Sequence, residues 1–325
     1  MKVLFIGGTG IISSACSRLA LERGIDLYHL NRGNSTVLRP IDGTKSITAD
    51  IRDEAATREA IEGHEFDAVV DWVAFVPEHI QGDIRLFTGK TRQFIFISSA
   101  SIYETPPSSL PVTESTPLNN PVWQYSRDKI ACENLLRETF AKSGFPYTIV
   151  RPSHTYDKTL IPMEGGYTVI HRMMQGKPVV VHGDGSSIWT LTHHRDFAKG
   201  LVGLLGNPRA IGEAFHITSN ELLTWDMIYK EMAKALGVHA KIVHVTSEKI
   251  ATYNKEIGDS LLGDKTHSMI FDNSKIRSVV PDFKCEIPFS QGAREIVKWY
   301  KEDPSRQIID NKLDEMFDKI IADNL

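Results

Sequence analysis

At 325 residues, with 41% hydrophobic and 24% charged residues, the chain has the composition of an ordinary globular protein of one large or two moderate domains. Its net charge of −4 gives no support to a polyanion-binding surface, so nucleic acid is not an expected partner, and no segment reaches the length of a membrane span. The three cysteines, Cys16, Cys132 and Cys285, lack the spacing of a metal site or a disulfide framework. With no signal-peptide pattern at the start, the expected location is cytoplasmic.

The first predicted element is a buried strand, the apolar run Val3-Leu4-Phe5-Ile6. It breaks into Gly7-Gly8-Thr9-Gly10 and is followed by a helical stretch opening on Ile11 and Ile12. A strand, glycine turn and helix in this order bring backbone N–H groups and the positive end of a helix dipole to one point, where a pyrophosphate can sit. Gly7 and Gly8 permit the tight turn, and Gly10 lets backbone approach phosphate with no side chain between.

Further strands are predicted over 26–30, 46–48, 68–72, 93–98 and 147–150, with helices over 11–23, 53–62, 77–89 and 123–143. Short β-branched runs alternating with helices make an α/β fold, a doubly wound parallel sheet with ligands beyond the carboxyl ends of its strands. After Arg151-Pro152 the rhythm changes. A strand is predicted over 178–182 before Gly183-Asp184-Gly185, a helix over 194–206, a strand over 214–217, and helices over 224–236 and 290–300. The expected organisation is a dinucleotide-binding domain over residues 1–155, with returns near 191–218. A smaller, interwoven C-terminal substrate domain would comprise 156–190 and 219–325.

The second strand ends in Asn31-Arg32-Gly33 and lacks the acid that would bind a ribose 2′-hydroxyl. Arg32 stands where a guanidinium pairs with a 2′-phosphate, which favours NADP(H) over NAD(H). Asp50, followed by Ile51, is placed to accept from an adenine amino group; Asp53 is placed either for that role or as a helix N-cap. The fifth strand runs into Ser98-Ser99-Ala100-Ser101-Ile102-Tyr103. Downstream, Tyr125 and Lys129 stand four apart on one helical face, where an ammonium can lower the pKa of a phenol. Such a phenol exchanges a proton with a carbinol or carbonyl at neutral pH, and a serine at the strand end can hydrogen-bond the same oxygen.

On these motifs the chain resembles the extended short-chain dehydrogenase/reductases, the group of NAD(P)-dependent sugar-nucleotide epimerases and dehydratases, along nearly its whole length. The resemblance implies a Rossmann sheet. It places the family's glycine pattern on Gly7, Gly10 and Ser13, with serine in place of the third glycine, its adenine-side acid on Asp50, and its catalytic residues on Ser99, Tyr125 and Lys129. Thr9, Ile11, Ile12, Asn31, Arg32 and Ile51 complete the implied cofactor contacts, and the family's Arg-Pro-x-x-x-Tyr-Gly segment appears as Arg151 to Asp157. The tyrosine is then the acid/base, and the lysine holds the nicotinamide ribose and lowers the tyrosine's pKa.

Departures from the family narrow the chemistry. Ala100-Ser101 stands where dehydratases carry Asp-Glu, which argues against 4,6-dehydration, and the glutamate of the sugar-acid decarboxylases is missing too. Trp189 occupies the place of the arginine that clamps a diphosphate, so that clamp is lost unless Arg172 or Arg195 replaces it. Ser101, His154 and Trp189 are candidate substrate contacts, His154 as a ligand or second acid/base, or else as a hydrogen-bonded core histidine. Tyr167, Met173 and Met174 suit a pocket wall or a core. No metal is expected, because His193-His194-Arg195-Asp196 lacks ligand spacing, and Asp196 is expected to cap or order the next helix.

The expected activity is thus epimerase-like chemistry on a sugar or sugar-nucleotide. The alternatives are an NADP(H)-dependent reductase of a small carbonyl compound and an RNA-associated protein, since chloroplast stem-loop RNA-binding relatives share the glycine loop and Asn31-Arg32-Gly33. Ile130, Leu135, Leu136 and Phe140 form an apolar stripe that either pairs two copies in a homodimer or covers the chain's own sheet.

Overall fold

The computed structural model describes residues 1–33, 39 and 41–324. The first half alternates β1 (Lys2–Ile6), α1 (Ile11–Glu22), β2 (Asp26–Asn31), β3 (Lys45–Thr48), α2 (Glu54–Ala60), β4 (Ala68–Asp71), α3 (Pro77–Phe87), β5 (Phe94–Ile97), α4 (Gln124–Ser143) and β6 (Tyr147–Pro152). There follow β7 (His154–Tyr156), α5 (Gly166–Met174), β8 (Val179–His182), β9 (Ile188–Trp189), β10 (Leu191–His193), α6 (His194–Leu204) and β11 (Glu213–Ile217). The remainder holds β12 (Leu223–Thr224), α7 (Trp225–Leu236), β13 (Ile242–Val245), α8 (Ser247–Ala251), α9 (Lys255–Ser260), α10 (Ser274–Val279), α11 (Phe289–Glu302) and α12 (Asn311–Ala322).

Seven strands form one parallel sheet in the order β11-β6-β5-β4-β1-β2-β3, the doubly wound Rossmann-like arrangement. The strands are buried on both faces, which is why they read as continuous apolar runs. Val3 and Phe5 of β1 face a core shared with α1 and α6 (Ala15, Cys16, Phe197, Leu201), while Leu4 and Ile6 face the opposite core with Ile80, Leu86, Cys132 and Leu136. Each of these large side chains contributes about 1.5–3 kcal/mol by burial. Leu136 of the predicted dimer stripe is therefore spent on the chain's own sheet, whereas Phe140 is 40% exposed.

A third core, around Trp225, Ile228, Val181, Ile296 and Phe317, lies apart from the large sheet and gathers α5, α7, α11 and α12 around the two-stranded β8–β13 pair. Between the cores, Arg151 and Glu133 form a buried two-bond ion pair (2.9 and 2.7 Å), and Arg151 also donates to Tyr103 Oη at 3.0 Å. The Arg-Pro motif is thus a strut under β6.

Packing decides between alternatives that the sequence left open and corrects the expectation for Asp196. Met173 is buried in the third core, Tyr167 stacks on Tyr300 at 5.1 Å, and Met174 is 40% exposed, so none of the three lines the cavity described below. Asp196 is not a cap: its carboxylate accepts from the Glu286 and Ile287 amides (2.9 and 2.8 Å), while His193 caps α6. Asp53 is the N-cap of α2, accepting from Ala56 at 3.0 Å. Among the described residues no helix is long and apolar enough to cross a membrane.

Candidate functional site

The carboxyl ends of β1, β2 and β4 open onto a groove of about 650 Å³ lined by Gly7, Thr9, Gly10, Asn31, Arg32, Asp50, Ile51 and Arg52. Gly7 has φ +86°, and a Cβ there would stand 2.7 Å from Val73 Cγ1. Gly8 lies against the His29 ring, leaving no room for a side chain. Beneath it, Ser17 Oγ donates to the Gly8 carbonyl (3.1 Å) and meets His29 Nε2 at 2.8 Å.

Ser13, in place of the expected third glycine, closes the loop. Its hydroxyl donates to the Gly7 carbonyl (3.0 Å) and accepts from the Gly10 amide (2.8 Å). A Cβ at Gly10 would meet only that hydroxyl within 4 Å, and the amides of Ile11 and Ile12 sit in a first helical turn that supplies them no partner. A positive-φ glycine, an open backbone face and free turn amides are what a dinucleotide pyrophosphate requires, so the residues present fit such a group. Asp50 accepts from the Arg52 amide at 3.0 Å, and Arg52 donates to the Val73 carbonyl at 2.6 Å.

Phe75 lines both this groove and a neighbouring cavity of about 450 Å³ at the ends of β5 and β6. Here the structure brings together Ile12, Ser99, Ser101, Tyr125, Lys129, His154 and Trp189. Ser99 Oγ bonds Ser101 Oγ at 2.9 Å, Ser101 continues to Ser126 Oγ at 2.8 Å, and Tyr125 lines the same cavity. Lys129, 2% exposed, donates to the carbonyls of Ala74 (2.7 Å) and Ile97 (2.8 Å), with Nζ 5.7 Å from the centre of the Tyr125 ring.

The expected lowering of the phenol's pKa by Lys129 is not found. Burial pushes Tyr125 up to about 12, opposed by the nearby Ser99 hydroxyl, and burial pulls Lys129 down to about 8. Two of the three lysine donors face backbone carbonyls, which leaves desolvation as the larger influence on the tyrosine.

His154 is also settled by its surroundings. Trp189 Nε1 donates to His154 Nδ1 at 3.2 Å, and burial drops the imidazole to about 3, so it is neutral with Nε2 carrying the proton. Neither proposed replacement for the diphosphate clamp lines the cavity. Arg172 is fully buried against Asp314 and Asp318, and Arg195 pairs with Glu295 at the surface.

Three residues that sequence reasoning missed belong to the cavity walls. Asp264 and Lys265 line it from a one-turn π-helix, Leu261–Lys265. Asn120, 1% exposed, lies behind it and joins its walls: Nδ2 donates to the carbonyls of Ser101 (2.8 Å) and Gly263 (2.5 Å), while Oδ1 accepts from the Trp123 amide just before α4. No motif marks these positions; the only sequence hint is Gly263, where a Cβ would stand 2.7 Å from Trp123 Cβ.

The arrangement sets an open glycine loop beside a cavity lined by Ser99, Tyr125 and Lys129. The profile of the NAD dependent epimerase/dehydratase family matches residues 3–218. Chloroplast stem-loop binding protein of 41 kDa b from Arabidopsis thaliana is 27% identical over 75% of this chain and 65% of its own length. The 2′-dehydrokanamycin reductase of Streptomyces kanamyceticus is 26% identical over 87% of this chain and 80% of its own. Among solved structures, UDP-glucose 4-epimerase from Bifidobacterium longum, in complex with NAD+ and UDP, superposes with a TM-score of 0.74 over 94% of this chain and 100% of that one, at 19% identity. The chain belongs to the NAD dependent epimerase/dehydratase family.

Proposed function

We propose that the protein is a nicotinamide-dependent, epimerase-type oxidoreductase acting on a hydroxyl of a sugar or sugar-nucleotide. One observation carries this reading: Ser99, Tyr125 and Lys129 line one cavity, which Phe75 joins to the glycine-loop groove. A nicotinamide ring, when bound, supplies the acceptor and donor of hydride. The chain's own part is to hold the reacting oxygen between Ser99 and Tyr125 and to exchange its proton at Tyr125 Oη. Burial keeps that phenol protonated, so it gives a proton to a carbonyl oxygen directly and takes one from a hydroxyl only after releasing its own. Lys129 is assigned to the cofactor ribose, on the side its third donor can reach. Gly7, Thr9, Gly10, Ile11 and Ile12 would hold the pyrophosphate, Asn31, Arg32, Asp50 and Ile51 the adenosine, and Ser101, His154 and Trp189 the substrate.

Three finer readings go with it. A preference for NADP(H) is supported by Arg32 and Arg52, which line the adenosine end of the groove where β2 ends without an acid. A reducing, cytoplasmic setting is supported by Cys16, Cys132 and Cys285, all free thiols. A homodimer through α4 is supported by exposed Phe140 and is tested by sedimentation of Phe140→Asp.

The experiment for the reaction itself is turnover of UDP-glucose by cofactor-loaded protein, followed by product configuration and by reduced-nicotinamide absorbance. An epimer forming without net reduced cofactor supports the proposal. Stoichiometric accumulation or consumption of reduced cofactor would replace it with a simple dehydrogenase or reductase.

A further inference from the structure

The wall of the cavity facing Tyr125 is built from chemistry that the proposed reaction has not used. It is a single π turn, Leu261–Lys265, a rare backbone form that is frequent at functional sites. The turn is held in place from two sides. Asn120 Nδ2 fastens its Gly263 carbonyl to the Ser101 carbonyl, and close packing of Gly263 on Trp123 abuts it to the start of the Tyr125 helix. Asp264 is thus set at a fixed place relative to Ser99 and Tyr125.

The Asp264 carboxyl is 16% exposed on its side chain, lines the cavity, and accepts no hydrogen bond among the described residues. Lys265 does not neutralise it well: Nζ stands 4.0 Å from Asp264 but 3.3 Å from Glu164, and also donates to Ser260. Glu164, which does not line the cavity, holds the Lys265 ammonium closer than Asp264 does, so the Asp264 carboxylate is the less compensated charge on this wall. The other cation in the cavity, Lys129, is held by two carbonyls on the opposite side. Burial and Glu164 push the Asp264 carboxyl up to about 6, as befits a group awaiting a hydrogen-bond donor.

Resting on the reading of the site as one for a sugar, we infer that Asp264 is a specificity-determining residue that accepts a hydrogen bond from a hydroxyl of a neutral hexose ring and excludes rings bearing a carboxylate. A hydroxyl satisfies the unpartnered carboxyl, whereas a uronate would set a second carboxylate against Asp264.

UDP-glucose and UDP-glucuronate make the test, because they differ only at one ring substituent. Binding to cofactor-loaded protein is read by quenching of tryptophan fluorescence, since Trp123 and Trp189 line the cavity. The wild type is expected to bind UDP-glucose at least about tenfold more tightly than UDP-glucuronate. Asp264→Asn, which keeps the shape but removes the charge, is expected to tighten UDP-glucuronate by about tenfold and so narrow the ratio. Asp264→Ala is expected to weaken UDP-glucose.

Equal binding of the two nucleotides by the wild type, tighter binding of the uronate through Lys265, absence of UDP-glucose binding, or an unchanged ratio in Asp264→Asn each overturns the inference. The reading of the reaction fails separately. If the ratio behaves as expected but the bound nicotinamide is never reduced by substrate, the assignment of Asp264 stands and the redox assignment falls.

Discussion

Asn120 Nδ2 donates to the Gly263 carbonyl at 2.5 Å, joining residues 143 positions apart, and the same amide reaches the Ser101 carbonyl at 2.8 Å. One buried side chain thereby sets the distance between the Ser99–Ser101 turn and the Asp264 turn. Replacing it by aspartate turns two attractive contacts into repulsions between oxygen atoms. Asn120→Asp is expected to cost about 2–4 kcal/mol of stability. It is also expected to lower kcat while leaving cofactor affinity near wild type, since the groove lies elsewhere. Denaturant unfolding and cofactor titration of the same variant check both halves.

The glycine loop makes a second prediction. Ser13 bridges Gly10 and Gly7, so Ser13→Gly, which restores the family's usual residue, is expected to loosen the loop and cost about 1 kcal/mol. Gly8→Ala drives a methyl into the His29 ring, which Ser17 holds from below, and is expected to abolish cofactor binding. Calorimetric titration with nicotinamide dinucleotide compares the two variants with wild type.

That loop also marks how far the sequence was legible. The strand, turn and helix at 2–22 were readable because a strand buried on both faces, a positive-φ glycine and a first helical turn each impose local residue types. The meeting of Ser99, Tyr125 and Lys129 in one cavity was readable from their order after the glycine loop and from the family resemblance. The state of Tyr125 was not, because its pKa depends on how deeply the helix is buried and on where Lys129 finds carbonyls. Asp264 and Asn120 were illegible for a related reason: they matter only through contacts between segments far apart in the chain. The missed α12 is different. Leu313, Met316, Phe317, Ile320 and Ile321 after the Asp310 cap follow a helical period, and the signal was there to read.

Cofactor choice gives a third prediction. Arg32 lies in the groove at the end of β2, and its guanidinium suits a 2′-phosphate. Arg32→Ala is expected to weaken NADP(H) by about tenfold or more while changing NAD(H) little. Equal losses for both cofactors, measured by titration, would refute the assignment.

A fourth concerns acid. Burial pulls His29, His182 and His194 down to about 4 and His154 to about 3, so all four are neutral in the folded chain at pH 7. The unfolded chain binds their protons near pH 6.5, and the folded chain does not until much lower. Their contribution to stability is therefore present above about pH 6.5 and is lost as pH falls toward 4, by up to about 1.4 kcal/mol per pH unit for each histidine. Asp264, raised to about 6, opposes this with a single proton. Unfolding by denaturant at pH 7 and at pH 5 should show a marked loss at the lower pH, and His29→Gln should reduce the slope.

The central claim is that Tyr125, held by Ser99, carries the proton of the reacting hydroxyl. The most direct measurement is turnover of UDP-glucose by cofactor-loaded Tyr125→Phe beside wild type, with cofactor affinity determined on the same samples. The account predicts a loss of about a hundredfold or more in kcat with cofactor affinity retained. Turnover near the wild-type rate in a variant that lacks only this hydroxyl would contradict it.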